Sequence, residues 1–214
     1  MSKTERPFIR DEEKAKRATD KRERILRAAI KVFARKGFYA TRVSEIAKAA
    51  GVADGTIYLY FENKDAVLVS IFEDRITKLL TVLRDEIAKA ESFDAKLRTV
   101  VELQLGLLEG QRDLAEVITV NLRQSSLLLK QYAAPLFTEY LELIANVIAE
   151  GQKEGIVRAD VSPRVVARSV WGALDGVALT WALGGKEPGK PESLRRAASQ
   201  IASVFLDGLR ADGS

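Results

Sequence analysis

The chain has 214 residues, 47% of them hydrophobic, which is enough to bury a proper core and allows one or two domains. It contains neither cysteine nor histidine, so a thiol nucleophile, a Cys or His metal site, a Ser-His-Asp triad and a structural disulfide are all excluded, and no enzyme reading finds a nucleophile-base pair. The net charge of +4 is uneven: residues 1–64 carry 16 of the 34 Lys and Arg against 9 of the 30 Asp and Glu, a net of +7, leaving 18 against 21, a net of −3, for the rest. That asymmetry suits a nucleic-acid-binding head on a body that makes no phosphate contacts, because cations are needed only where a duplex lies.

Residues 1–17 are charged and lack apolar periodicity, which predicts a mobile basic arm. From Thr19 or Asp20, either a plausible cap, Ile25, Ala28, Ala29, Val32 and Phe33 recur at helical spacing until Gly37 closes a first helix. Thr41 can cap a second helix, Arg42 to Ala50, whose apolar side is Ile46, Ala47 and Ala50, and Gly51 supplies the left-handed residue that ends it. Asp54 can cap a third, Asp54 to Tyr60, in which Ile57 and Phe61 share the buried face while Thr56, Tyr58, Leu59 and Tyr60 lie around the rest. Asn63 reads as the cap of a long helix from Lys64 to about Ala90, with Leu68, Ile71, Phe72, Ile76, Leu79, Leu80, Leu83 and Ile87 on one side. Two short helices, a tight turn and a capped third element form the layout of a DNA-reading unit over residues 18–64. Residues 65–214 would then be a ligand-binding and dimerisation body.

In the body, helices are predicted near 94–109, 112–122, 126–154, 163–182 and 192–209, giving an all-α chain of about nine helices with no strand pattern. Ser162 before Pro163 is a strong helix start, and Gly155 a stop. Gly184 to Lys190 matches the glycine and lysine spacing of a phosphate-binding loop, but Pro191 replaces the required Ser or Thr and no strand precedes it, so it reads as a connection between helices. The longest apolar run, Ser169 to Leu183, contains Asp175 and is too short to span a bilayer; a soluble cytoplasmic protein is expected.

The helix from Pro163 is apolar almost all round and needs cover on several sides. Gly172 and Gly176 in it would admit the close approach of a ligand or another helix, or serve packing within the monomer. Asp175 needs a partner there, with Arg123 and Gln124 as the candidates, either as a structural pair or facing a ligand. The final helix is amphipathic, with Leu194, Ala197, Ala198, Ile201, Val204, Phe205 and Leu209 facing one way.

With Val43, the run V-S-E-I-A-K-A-A-G-V-A-D-G-T-I-Y-L-Y-F-E-N-K resembles the DNA-binding signature of TetR-family transcriptional regulators. The resemblance covers roughly residues 20–68 and implies a helix-turn-helix head on a long fourth helix, a homodimer formed by the last two helices, and a palindromic double-stranded operator. On this reading Thr41, Arg42, Ser44, Tyr58, Tyr60 and Lys64 meet phosphates or position the head, Asp54 and Gly55 open the recognition helix, and Thr56 and Leu59 touch base edges. Leu194, Ile201 and Phe205 are expected in the dimer seam.

The segments N-L-R-Q-S-S and G-A-L-D-G-V-A-L-T-W further resemble the FadR-type branch, repressors of fatty-acid degradation genes that release DNA on binding long-chain acyl-CoA. That implies no metal and no cofactor, but an acyl-CoA effector in a tunnel lined by Leu103, Leu107, Val117, Leu143, Trp171 and Trp181. Arg123, Gln124 and Asp175 would stand near its polar mouth, with Arg168 or Lys130 as further cations. Leu and Trp at helical spacing also make ordinary core, and a repressor of efflux or other genes that answers a different hydrophobic ligand is the alternative.

Overall fold

A computed structural model of the chain describes residues 5–124, 134–184 and 193–211, and among these every regular element is a helix. Nine α-helices lie among the described residues: α1 Glu5–Lys36, α2 Val43–Ala50, α3 Asp54–Tyr58, α4 Lys64–Lys89, α5 Phe93–Gly106, α6 Arg112–Glu116, α7 Ala134–Lys153, α8 Pro163–Leu183 and α9 Leu194–Leu209. Two compact units emerge, one up to Ile71 and one from Phe72 onward, so the division falls inside α4 rather than at its start.

In the first unit α1 begins at Glu5, well before the Thr19 or Asp20 cap that apolar periodicity suggests, so 5–17 is helical. The stretch is rich in Glu, Lys and Arg, all good helix formers. Propensity extends the helix where no apolar stripe marks it. At the other end Gly37, at φ +78°, donates its N–H to the Phe33 carbonyl and stops the helix as expected. Ile25, Ala29, Phe33, Ile46, Ala47, Ile57, Phe61, Val67, Leu68 and Ile71 form the buried interior of this unit.

Two caps differ from expectation. Arg42, not Thr41, occupies the N-cap of α2, and its N–H donates to Glu45 Oε2 at 3.0 Å. Lys36, hydrogen-bonded to that carboxylate, holds Glu45 below its ordinary range. Ala53, not Asp54, caps α3; Asp54 lies in the first turn, where a carboxylate favours the positive end of the helix dipole. α3 is also shorter than predicted and closes at Tyr58. Asn63 does cap α4, accepting from the Ala66 N–H at 2.8 Å.

In the second unit α9 packs on α5 and α8, α7 on α8 and α5, and α6 on α8. Gly151 is fixed by packing: a Cβ there would lie 2.7 Å from both Phe93 Cδ2 and Val157 Cγ2. An isolated antiparallel bridge between Val157 and Arg210 pins the end of α9. The regular helix predicted to Leu122 instead leaves α geometry at Val117: a π-turn covers Val117–Asn121 and a 3-10 turn Leu122–Gln124. Val117, Ile118, Thr119 and Val120 are β-branched in succession and fit a regular helix poorly, and a π-turn changes the angle at which the following side chains leave the axis. The first part of the helix predicted from Ser126, and most of the Gly184–Lys190 look-alike, lie outside the described residues. No helix among the described residues is long and apolar enough to cross a membrane.

Candidate functional site

The first unit presents an outward surface around α3. Leu59 is 80% exposed and Tyr58 59%, while Arg42, Ser44, Asp54 and Gly55 are exposed and Thr56 and Tyr60 half-buried. A Cβ built on Gly55 meets nothing within 4 Å, so nothing inside the chain requires glycine there. Tyr39, 71% exposed in the loop before α2, joins this surface without having been singled out from the sequence; an aromatic residue directly after the Gly37-Phe38 turn was the available signal.

Two residues expected at phosphates are engaged otherwise. Thr41 is 2% exposed, and its hydroxyl donates to the Gly37 carbonyl at 2.8 Å. Lys64 Nζ donates to three carbonyl oxygens, Phe38 at 2.8 Å, Thr41 at 3.0 Å and Tyr39 at 3.2 Å, and stands 4.5 Å from the Phe38 ring centroid. An ammonium has three protons, so Lys64 is saturated. The role assigned to it as a free phosphate cation gives way to that of a staple, tying the first turn of α4 to the loop between α1 and α2.

The second unit encloses a cavity of about 490 Å3. Phe72, Arg75, Ile76, Lys78 and Leu79 line it from α4, and Gln104, Leu107, Leu108 and Gln111 from α5 and its end. Leu114, Ile118, Thr119, Leu122 and Arg123 come from α6 and the turns after it, Phe137 and Tyr140 from α7, and Trp171, Asp175 and Ala178 from α8. Irregular geometry after Glu116 thus carries four side chains to the wall. Phe137 joins the other aromatics, edge to face with Trp171 at 4.8 Å and stacked on Tyr140 at 6.3 Å.

Of the residues expected at a ligand, Leu107, Arg123, Trp171 and Asp175 come together here. Leu103, Val117, Leu143 and Trp181 do not. Val117 is fully buried in the core, and Leu103 and Leu143 are half-buried on parts of their helices turned from the wall. Trp181 lies under the Arg112 guanidinium at 5.6 Å, and Arg112 donates to the Trp181 and Ala182 carbonyls at 2.8 and 3.2 Å, closing the end of α8. Arg168 is exposed and off the cavity, while the Gln124 side chain and Lys130 lie outside the described residues. Sequence reading placed Phe72, Ile76 and Leu79 only on the apolar side of a connecting helix, and it passed over Arg75, Lys78, Gln104, Phe137 and Tyr140. Arg75 and Lys78 next to that apolar side were the signal.

Asp175 has the partner its burial demanded: Arg123 reaches its carboxylate at 2.5 Å and also bonds the Thr119 carbonyl. Three cations, Arg75, Lys78 and Arg123, therefore line the cavity against one carboxylate that is already paired. Asp74, off the wall, lies 3.1 Å from Lys78 and 3.8 Å from Arg75.

The dimer residues divide as well. Leu194 is 1% exposed, buried within the single chain with Ala197, Ala198, Ala202, Leu206 and Leu209, so it belongs to the core and not to a seam. Ile201 and Phe205 are half-buried, and Val204 is 70% exposed. Gly172, Gly176 and Gly208 are exposed, and a Cβ on any of them would meet nothing within 4 Å.

Comparison with known proteins agrees with this architecture. Residues 25–71 match the family model described as bacterial regulatory proteins of the tetR family, and residues 72–198 match the C-terminal region of YsiA-like proteins. The fatty acid metabolism regulator protein of Bacillus subtilis is 35% identical over 159 residues, 74% of this chain and 82% of that one. The solved fatty acid degradation regulator FadR of Bacillus halodurans is 32% identical with a TM-score of 0.79, across 88% of this chain and 99% of the other. The FadR of Bacillus subtilis, solved in complex with stearoyl-CoA, is 30% identical with a TM-score of 0.80 over the same shares. The chain belongs to the TetR family of bacterial transcriptional regulators, not to a family of enzymes, and it is close to the FadR regulators of fatty acid metabolism.

Proposed function

We propose that this protein is a dimeric repressor whose α3 reads a palindromic operator, that long-chain acyl-CoA in the body cavity releases the DNA, and that the genes under control serve fatty-acid degradation. The observation that carries this reading is the cavity, with aliphatic and aromatic walls and three cations against one paired carboxylate. Such a lining suits an apolar chain on a polyanionic head. A cationic aromatic drug would meet the wrong charge, which disfavours the efflux alternative. A ligand must favour one state by about 5.5 kcal/mol to move it from 1:99 to 99:1, and about seven methylenes at roughly 0.8 kcal/mol each, buried in that state alone, supply it.

α4 is the physical route between the two sites, since one helix carries Lys64 in its first turn and five cavity residues further on. A shift of α4 on ligand binding would change the separation of the two recognition helices, which has to match one helical turn of DNA, about 34 to 36 Å, or a multiple. In the head, Thr56 and Leu59 would read base edges while Tyr58, Tyr60, Arg42 and Ser44 hold phosphates. Dimerisation through α8 and α9 is supported by Val204 and by Gly172, Gly176 and Gly208. Each helical glycine costs up to about 1 kcal/mol relative to alanine, and none serves a close approach among the described residues.

An operator gel shift with acyl-CoAs of increasing length tests the effector. Release is expected at lower concentration as the chain lengthens, until the cavity is full, with free CoA ineffective. Operator binding unchanged by saturating acyl-CoA of every length would refute the effector and leave the family membership intact.

A further inference from the structure

We infer that Gln104 is a specificity-determining residue that donates a hydrogen bond to the thioester carbonyl of the bound acyl group, and that Tyr140 positions it; this rests on the acyl-CoA reading above. Gln104, Gln111, Thr119 and Tyr140 line the cavity with neutral amide or hydroxyl groups beside the Trp171 indole, and the hydroxyls of Thr119 and Tyr140 and one N–H of Gln111 are committed. Gln111 Nε2 donates to the Leu107 carbonyl at 2.9 Å, Thr119 Oγ1 to the Ala115 carbonyl at 2.7 Å, and Tyr140 Oη to Gln104 Oε1. Among the described residues Gln104 Nε2 has no acceptor, yet it is not sealed from open space, since the one buried side-chain atom left unpartnered among them is Asn121 Oδ1. An amide NH2 in the wall of an apolar cavity, with no internal acceptor, is a donor for whatever fills the cavity.

Which end of the amide faces the ligand is fixed chemically. Tyr140 is 1% exposed, and burial pushes its phenol above the ordinary value, so the O–H stays protonated and must donate. Gln104 Oε1 is its one acceptor. Reversing the amide would leave a buried phenol proton unpaired, at a cost of about 1 to 3 kcal/mol. Phe137, stacked on Tyr140 and edge to face with Trp171, confines the phenol ring further.

The depth also fits. Leu107, 42% exposed, marks the rim on α5, and Gln104 lies one helical turn, about 5 Å, before it. The pantetheine arm lets the phosphates stay with the cations while the acyl carbonyl passes this rim, and the methylenes beyond it meet the aliphatic and aromatic wall.

The test compares palmitoyl-CoA with S-hexadecyl-CoA, a thioether of equal length that lacks the carbonyl, by titration calorimetry on the full-length protein. The thioester is expected to bind about tenfold more tightly to the native chain, the value of one buried hydrogen bond. In Gln104→Leu the two affinities should converge, with the thioether still bound; in Tyr140→Phe, which keeps the buried ring, the ratio should fall in the same direction. Equal affinities in the native protein, or a ratio unchanged in Gln104→Leu, would overturn the assignment of Gln104, and a ratio unchanged in Tyr140→Phe that of Tyr140. If neither compound binds the native protein, the acyl-CoA reading itself falls, and this inference with it.

Discussion

The two units dispose of their polar groups in opposite ways. In the first, Lys64 gives all three protons to the loop that carries Tyr39 and Thr41, Thr41 turns its hydroxyl inward, and Arg42 is held by Glu45. What remains outward is a fixed set of rings and aliphatic groups, Tyr39, Tyr58 and Leu59, on a backbone with its internal bonds made. In the second, the apolar side chains turn inward around open space, and a donor of Gln104 is left without an acceptor among the described residues. The first unit is finished as a surface and suits a rigid partner such as a duplex. The second is unfinished as an interior and suits a ligand that completes it.

The sharpest way to break this comparison is at the outward apolar face of the second unit, where the contrast would fail if Val204 and the glycines served nothing. Val204→Asp combined with Gly176→Leu should leave the monomer folded, because both positions face solvent in the single chain. Sedimentation should then report half the native mass, and operator affinity should fall by orders of magnitude as one half-site contact is lost. An unchanged mass would move the interface elsewhere.

A smaller effect is expected from the staple. Lys64→Met keeps the aliphatic stem over Phe38 but removes the charged hydrogen bonds to three carbonyls, which should lower the stability of the first unit by about 2 kcal/mol. Denaturant unfolding measures that loss. Because the ammonium is already saturated, the salt dependence of operator binding should keep its slope; a slope reduced by about 1 would mean that Lys64 leaves its carbonyls for a phosphate on DNA.

The smallest effect, and the most discriminating, is expected at Gly55. Gly55→Ala meets nothing within 4 Å, so thermal unfolding should show a stable protein, gaining up to about 1 kcal/mol of helix propensity. Operator affinity should nevertheless fall, as the added methyl holds the start of α3 away from the groove. Affinity equal to that of the native protein would show that the glycine has no role at the DNA.

Short-range chemistry explains which features could be read in advance. Gly37 and Gly51 as helix stops, Asn63 as a cap, and the buried positions of Ile46, Ala47, Ile57 and Phe61 all follow from spacing within one or two turns. Caps failed where a competitor stood nearby: Glu45 reached the Arg42 N–H, and Thr41 found the Gly37 carbonyl. In the body, periodicity located α8 and α9 but could not say which of their apolar residues face the interior. Leu194 and Val204 share a pattern and end on opposite sides of the burial line, because α9 packs on two neighbours at once.

The sequence by itself determined an all-helical chain, a basic helix-turn-helix head, its family, and a body without thiol or imidazole groups, since each depends on composition or on residues a few positions apart. Tertiary structure alone decided that Lys64 is a staple, that Arg123 and Asp175 pair in a cavity wall 52 residues apart, and that Gln104 meets Tyr140 across 36. The reason is physical: a side chain's donors go to whichever acceptor the packing brings within about 3 Å, and no local spacing encodes which acceptor that will be.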